Sequence, residues 1–366
     1  MAHLTNTRTI LGLPYWALLL PVAAIATLAA AWGRPPGPLL LPLVIAALFA
    51  AVLVAVHHAE VIAHRIGEPF GTLVLALAVT VIETSLIISI MLAASADAEV
   101  LARDTVVATV MIVCNGVIGL CLLSGAMRQR VVSFRSEGAV PAVAVLATLC
   151  TFTLILPNFT RATAGPTLST GQLGFDAIAS LVLYGCFVFV QTVRHRDYFL
   201  PEGAGTDDQH AAPPATTTAL ASLVLLLVSL VAVVGLAKTL APSIEAAVVG
   251  AGMPRAVVGI AIAMLVLLPE TLSALRAARG GRVQTSLNLA LGSGLATIGL
   301  TIPAVVATAI ALGLPLELGV PPTEIVLLAL TLLLTSMTMA AGKATVLQGA
   351  VHLIVFAAYL FLAANP

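Results

Sequence analysis

The sequence predicts an all-α polytopic membrane protein of about 11 transmembrane helices, arranged as two inverted five-helix repeats plus an extra N-terminal helix. Three observations carry this. Of the 366 residues, 60% are apolar and only 9% charged, with mean hydropathy +1.12, whereas soluble domains carry about 25% charged residues. Apolar runs of 20 or more residues recur along the chain, each long enough for a helix that crosses the hydrocarbon core. Two carboxylates, one in each half, lie inside such runs. The apolar runs make membrane lipid the expected surroundings, and the formal net charge of zero suggests no nucleic-acid partner.

Taken in order, the runs place spans at 11–32, 38–63, 69–94, 104–126, 139–157, 174–193, 217–238, 254–278, 285–312, 321–341 and 344–363. The first is kept as a helix, over 1–37, because no small-residue cleavage site closes it. Spans two to six make a first repeat, 38–193. The polar stretch RHRDYFLPEGAGTDDQHAAPPATTT, rich in Pro, Gly, Thr and Asp, reads as a flexible cytoplasmic linker over 194–216. Spans seven to eleven make a second repeat, 217–366. Five is odd, so two such repeats in tandem enter the membrane upside down relative to one another, as in many secondary transporters. On alternating sides of this arrangement Lys and Arg divide eleven to five in favour of the N-terminal side, which puts the N-terminus in the cytoplasm. Cys114, Cys121, Cys150 and Cys186 fall inside apolar runs without metal-ligand spacing and read as small core residues.

Glu83 lies in TLVLALAVTVIETSLIISIML and Glu270 in AVVGIAIAMLVLLPETLSALRA. An ionised carboxylate at the centre of a spanning helix costs about 2.5–3.5 kcal/mol on insertion scales, so two of them suggest a shared task. Desolvation and mutual repulsion favour the protonated form of such a pair, and a bound cation restores the ionised one. Two acids can therefore trade a cation for protons with little buried net charge in either state. Ca²⁺ takes six to eight oxygens, more than two carboxylates supply, so further ligands are expected nearby. Pro269 denies an upstream carbonyl its amide donor. Thr80, Thr84 and Thr271 lie beside the acids. Asn115, Asn288 and Ser293 interrupt the helices that follow them, offering amide or hydroxyl oxygens and close helix approach.

The stretches His58-Ala59-Glu60-Val61-Ile62-Ala63, Gly67-Glu68-Pro69-Phe70-Gly71-Thr72 and Val79-Thr80-Val81-Ile82-Glu83 resemble the first repeat of the bacterial Cha-type Ca²⁺/H⁺ (Na⁺/H⁺) antiporters of the cation/Ca²⁺ exchanger superfamily. Leu268-Pro269-Glu270, Ser273-Ala274-Leu275-Arg276-Ala277, Asn288-Leu289-Ala290-Leu291-Gly292-Ser293 and Leu300-Thr301-Ile302-Pro303 resemble its second repeat. The resemblance implies that Glu83 and Glu270 bind the transported ion, and that the chain sits in a bacterial cytoplasmic (inner) membrane. Vacuolar-type exchangers show GNATE and GNAAEH at these acids; here VTVIET and VLLPET stand instead, so the Asn and His of those motifs have no counterparts.

The expected activity is exchange of Ca²⁺, with Na⁺ or K⁺ also admitted, for H⁺ by alternating access. The ions are substrates, no cofactor is called for, and no oligomeric state is specified. The alternative within transport is a monovalent cation (Na⁺ or K⁺)/H⁺ antiporter. An intramembrane enzyme using the two acids as acid and base is the rival from another class, but no HExxH or GxSxG pattern accompanies them. His57, His58, Glu60, His64, Arg65 and Glu68 cluster at the cytoplasmic end of span two and read as an ordinary interfacial helix end, with a proton-sensing vestibule as the functional alternative. Asp97, Glu99, Glu317 and Glu324 read as solvated charge on the outer side.

Overall fold

The computed structural model describes residues 9–33, 36–66, 70–92, 98–199, 214–254 and 256–366. Gly67, Glu68, Pro69, Asp97 and most of the expected linker lie outside the described residues. Two compact units emerge, one comprising Met1–Ser89 with Gln209–Ala247, the other Ile90–Asp208 with Val248–Pro366.

In the first unit, a short antiparallel ribbon of β1 (Thr9–Ile10) and β2 (Leu13–Pro14) leads into α1 (Tyr15–Ala31), which packs on α2 (Leu40–Ile66). The histidine pair of α2 belongs to this packing. His58 is fully buried with Nε2 2.9 Å from the Ala17 carbonyl, and the His57 ring lies 4.6 Å from that of Trp16. Helix α3 (Phe70–Met91) follows. Most of α8 (Thr216–Gly250) returns to this unit, where Thr218 donates to the Leu11 carbonyl at 2.7 Å and Arg65 donates to Thr216 at 2.8 Å. Gly235 lets α8 approach α1: a Cβ there would meet Leu28 at 2.4 Å.

In the second unit, α4 (Ala98–Met111) runs through a π-helical turn (Ile112–Val117) into α5 (Ile118–Gln129) as one enclosed span. Helix α6 (Ser136–Cys150) ends in a π turn (Thr151–Ile155), and α7 (Thr170–Phe189) in another (Val190–Arg194). A capping box fixes the start of α7, with Ser169 and Gln172 exchanging side-chain and backbone bonds. Helices α9 (Ala256–Val266) and α10 (Leu268–Arg279) are bent 56° apart. Helix α11 (Val283–Ala296) continues through a π turn (Thr297–Thr301) into α12 (Ile302–Leu312), and α13 (Pro322–Ala340) and α14 (Val346–Ala364) complete the unit. A second ribbon pairs β3 (Val132–Ser133) with β4 (Lys343–Ala344), tying the α5–α6 turn to the α13–α14 turn.

Among the described residues eight helices are long and apolar enough to cross a membrane, nine if α9 and α10 form one bent span. Two shorter apolar helices, α1 and the Thr80–Ser89 stretch of α3, coincide with the first and third expected spans. The largest departure from expectation is α8, whose 35 residues continue past Lys238, Pro242 and Glu245 to Gly250. A proline inside a helix removes one backbone bond and bends the helix without always ending it. Of the charges expected to be solvated, Glu99 is exposed, whereas Glu317 and Glu324 are half-buried. Arg103 is 8% exposed, bonds Asp104 at 2.9 Å and the Gly319 carbonyl at 2.9 Å, and pairs with Glu317.

Candidate cation-binding site

Glu83 stands on α3 at 3% exposure, in a buried stripe with Thr80, Ile87 and Met91. This stripe has helical spacing, so the carboxylate points to the protein side of α3, away from Leu77 and Val81, which are exposed. Thr84 follows directly and is half-buried. The first unit thus presents one acid flanked by two hydroxyls.

Glu270 lies in the first turn of α10, just after the bend. Pro269 has no N–H to return to the carbonyl four residues earlier, which is why the chain kinks where α9 meets α10. Both carboxylate oxygens are out of reach of solvent. The N-terminal turn of a helix favours negative charge, which helps an acid persist there. Thr271 donates its hydroxyl to the Leu267 carbonyl at 2.7 Å, and the same carbonyl accepts the Thr271 amide at 2.9 Å. That hydroxyl keeps its lone pairs as acceptors.

Of the other expected ligands, α11 and the Ile112–Val117 turn bring several into one region. Helix α10 packs on α11 and on this π turn, and α11 packs on the turn as well. At Gly294, next to Ser293, α11 lies against Val113 of the turn, where a Cβ would sit at 3.4 Å, about van der Waals contact. Ser293 is half-buried on this helix. Asn115, fully buried in the turn, is committed to a polar chain that sequence reasoning missed. Its Nδ2 donates to Thr331 at 2.8 Å, and Thr331 donates to the Leu327 carbonyl at 2.7 Å. Its Oδ1 lies 3.1 Å from His352 Nδ1, whose Nε2 lies 3.1 Å from Thr338. An Nδ1–H imidazole that accepts from Thr338 satisfies every member of this chain without a charge. The signal available in the sequence was a lone histidine, AVHLIV, inside an apolar span.

Asn288 takes a different place. It donates to the Phe199 carbonyl and accepts from Gln284 at 2.9 Å. With Gly138, Ala142, Phe187, Gln191 and Phe199 it lines a narrow crevice too tight to admit a water molecule. Among the described residues no three His, Cys, Asp or Glu side chains gather as metal ligands. A cation at either glutamate would therefore complete its shell from hydroxyl, amide and carbonyl oxygens, the donors that suit hard cations.

Comparison with known proteins gives a consistent result. The family model described as sodium/calcium exchanger protein matches residues 36–193 and 221–365. The chain is 46% identical over 360 residues to y4hA of Sinorhizobium fredii, covering 96% of this chain and 97% of that one. It is 35% identical over 353 residues to the sodium-potassium/proton antiporter ChaA of Escherichia coli, covering 94% of each. Among solved structures, YfkE superposes with a TM-score of 0.73 at 15% identity, over 96% of this chain and 100% of that one. The H⁺/Ca²⁺ exchanger CAX superposes with a TM-score of 0.71 at 16% identity, over 95% and 88%. These two share the fold.

Proposed function

Because the chain belongs to the sodium/calcium exchanger family of multi-pass cation transporters, we propose that it is an antiporter carrying Ca²⁺, with Na⁺ or K⁺ also admitted, outward against entering protons. The observation that carries this reading is the pair of acids, Glu83 in an otherwise apolar helix and Glu270 at the bend that follows the apolar α9, with both carboxylates enclosed by protein. Each also falls in a different one of the two segments matched by the family model, which supports two repeats, 38–193 and 217–366, each supplying one carboxylate. In this reading the acids hold the cation when ionised and carry protons when it leaves. Thr80, Thr84, Thr271 and Ser293 supply hydroxyl oxygens. The bend before Glu270 supplies a carbonyl that Pro269 leaves without its usual donor, and Asn115 and Asn288 hold the helices around the ion. The setting is the bacterial cytoplasmic membrane, with the N-terminus inside.

A second reading, monovalent cation/H⁺ exchange, is favoured by the extent of the match to ChaA. Radiolabelled Ca²⁺ uptake into everted vesicles, with a dye following internal pH, separates the two. Calcium uptake coupled to proton efflux, resisting excess Na⁺, is the outcome expected of the first. Proton movement driven by Na⁺ or K⁺ alone, without calcium uptake, would assign the second. Cation uptake with no proton movement would overturn both.

A further inference from the structure

Asp176, in the second turn of α7, belongs to neither group of expected ligands. It is 3% exposed, and neither of its carboxylate oxygens has a hydrogen-bond partner among the described residues. One helical turn on, Ser180 is fully buried, and its hydroxyl also lacks a partner among the described residues. Tyr184 continues the same line at four-residue spacing and lies against the Thr297–Thr301 turn, where a Cβ on Gly299 would come within 2.6 Å of the Tyr184 Cβ. This face of α7 is therefore the one packed on α12 and on that turn. Neither α12 nor the turn carries a titratable side chain. Helix α6, also against α7, has Glu137 in its first turn and Cys150 at its end, and the turn that closes α7 ends in Arg194. On α7 itself the other titratable groups are Tyr184 and Cys186.

Three oxygens of one helix face thus lie out of water with no protein donor among the described residues. Buried polar groups are almost always bonded, and a buried charge is neutralised or paired. One carboxylate balances one positive charge. A divalent ion would leave a surplus that α12 and the turn have no acid to cancel. We propose that Asp176 and Ser180 form a second, univalent-cation site, at which a carboxylic acid gives up its proton as Na⁺ binds between the carboxylate and hydroxyl oxygens. The exchange balances: one Na⁺ enters and one H⁺ leaves, with no change of net charge. The site stands independently of the proposed glutamate pair.

The test uses full-length purified protein carrying both Glu83→Gln and Glu270→Gln, so that neither proposed exchange acid contributes. Infrared difference spectra are recorded as choline is replaced by Na⁺ at constant ionic strength and mildly alkaline pH. The expected result is loss of a protonated-carboxyl band, gain of carboxylate bands and release of protons to the medium, all absent when Asp176→Asn is added. Ser180→Ala should raise the Na⁺ concentration needed by roughly two- to tenfold, the effect of one polar contact. A spectrum that Na⁺ leaves unchanged would make Asp176 a permanently neutral packing group and overturn the proposal. So would a Na⁺ response that survives Asp176→Asn. If Asp176→Asn does not fold, an unshifted Na⁺ dependence in Ser180→Ala overturns it as well.

Discussion

Glutamine in place of Glu83 or Glu270 keeps the size and polarity of the side chain and removes the group that can be charged or protonated. Either substitution is expected to abolish proton-coupled cation uptake in vesicles while leaving membrane insertion and detergent-extracted yield at wild-type level. Full exchange by either variant would remove that residue from the mechanism. Asn115 calls for a different experiment, because its amide bridges Thr331 and His352. Truncation to Ala strands one nitrogen of the buried His352 and takes one bond from Thr331, which keeps its bond to Leu327, a loss of about 1–2 kcal/mol. A thermal-unfolding midpoint several degrees lower in detergent is the expected reading, with Thr331→Ser much milder because it keeps the hydroxyl. At this scale the sequence was informative wherever one residue contradicts its surroundings. A carboxylate in an apolar run needs no partner to be conspicuous. What stayed hidden depends on partners far along the chain: Asn115 meets a histidine 237 positions away, and Arg103 meets Glu317, 214 positions away. Asp176 stayed hidden for another reason. It sits near the polar start of its helix, where an acid looks interfacial until packing shows it enclosed.

Helices in this fold approach one another through glycine, and the glycines are not equivalent. On α14, a Cβ at Gly349 would lie 2.6 Å from the backbone nitrogen of Leu123 on α5. Backbone cannot rotate aside as a side-chain tip can, so Gly349→Ala must push α14 away from α5 and cost at least about 1–3 kcal/mol. Reduced yield and an early-melting protein are expected. Gly292 on α11 has open space where a Cβ would go, and alanine is about 1 kcal/mol the better helix former. Gly292→Ala should therefore fold as well as the parent or better, measured by the same melting assay. Equal damage from both substitutions would contradict this account of the packing. The existence and order of the helices were legible from apolar runs, and the interruption of two spans was legible from Asn115-Gly116 and from the small residues of α11–α12. Their form as π turns was not, because a one-residue widening of a helix leaves no mark in composition. The end of α8 was misplaced at Lys238 because a charge and a proline close together signal a terminus, and here the helix continues through both.

Across the whole molecule, the distribution of Lys and Arg and the number of spans make a joint prediction. Eleven spans with a cytoplasmic N-terminus place the C-terminus outside, whereas an even number would return it to the cytoplasm. The pattern of charge supports the first arrangement, since shifting any one span boundary into or out of existence would scatter the basic residues onto both sides. The two short apolar helices, α1 and the Thr80–Ser89 stretch of α3, decide the count: each must cross for the total to stay odd. Alkaline phosphatase fused after Pro366 is therefore expected to be active and a green fluorescent protein at the same position dark. Fused within the 200–213 stretch, the two reporters should behave in the opposite way. Deleting α1 together with its ribbon should leave both results unchanged if the basic residues hold the remaining ten spans in place, and should invert both if the new N-terminus stays in the cytoplasm, which separates the part played by the extra helix from that of the two repeats. A dark phosphatase at the C-terminus of the intact chain would mean that α1 or α3 does not cross. Failure of α3 would leave the first repeat with an even number of spans and remove the basis of its opposite orientation, whereas failure of α1, which lies outside both repeats, would leave the inversion intact.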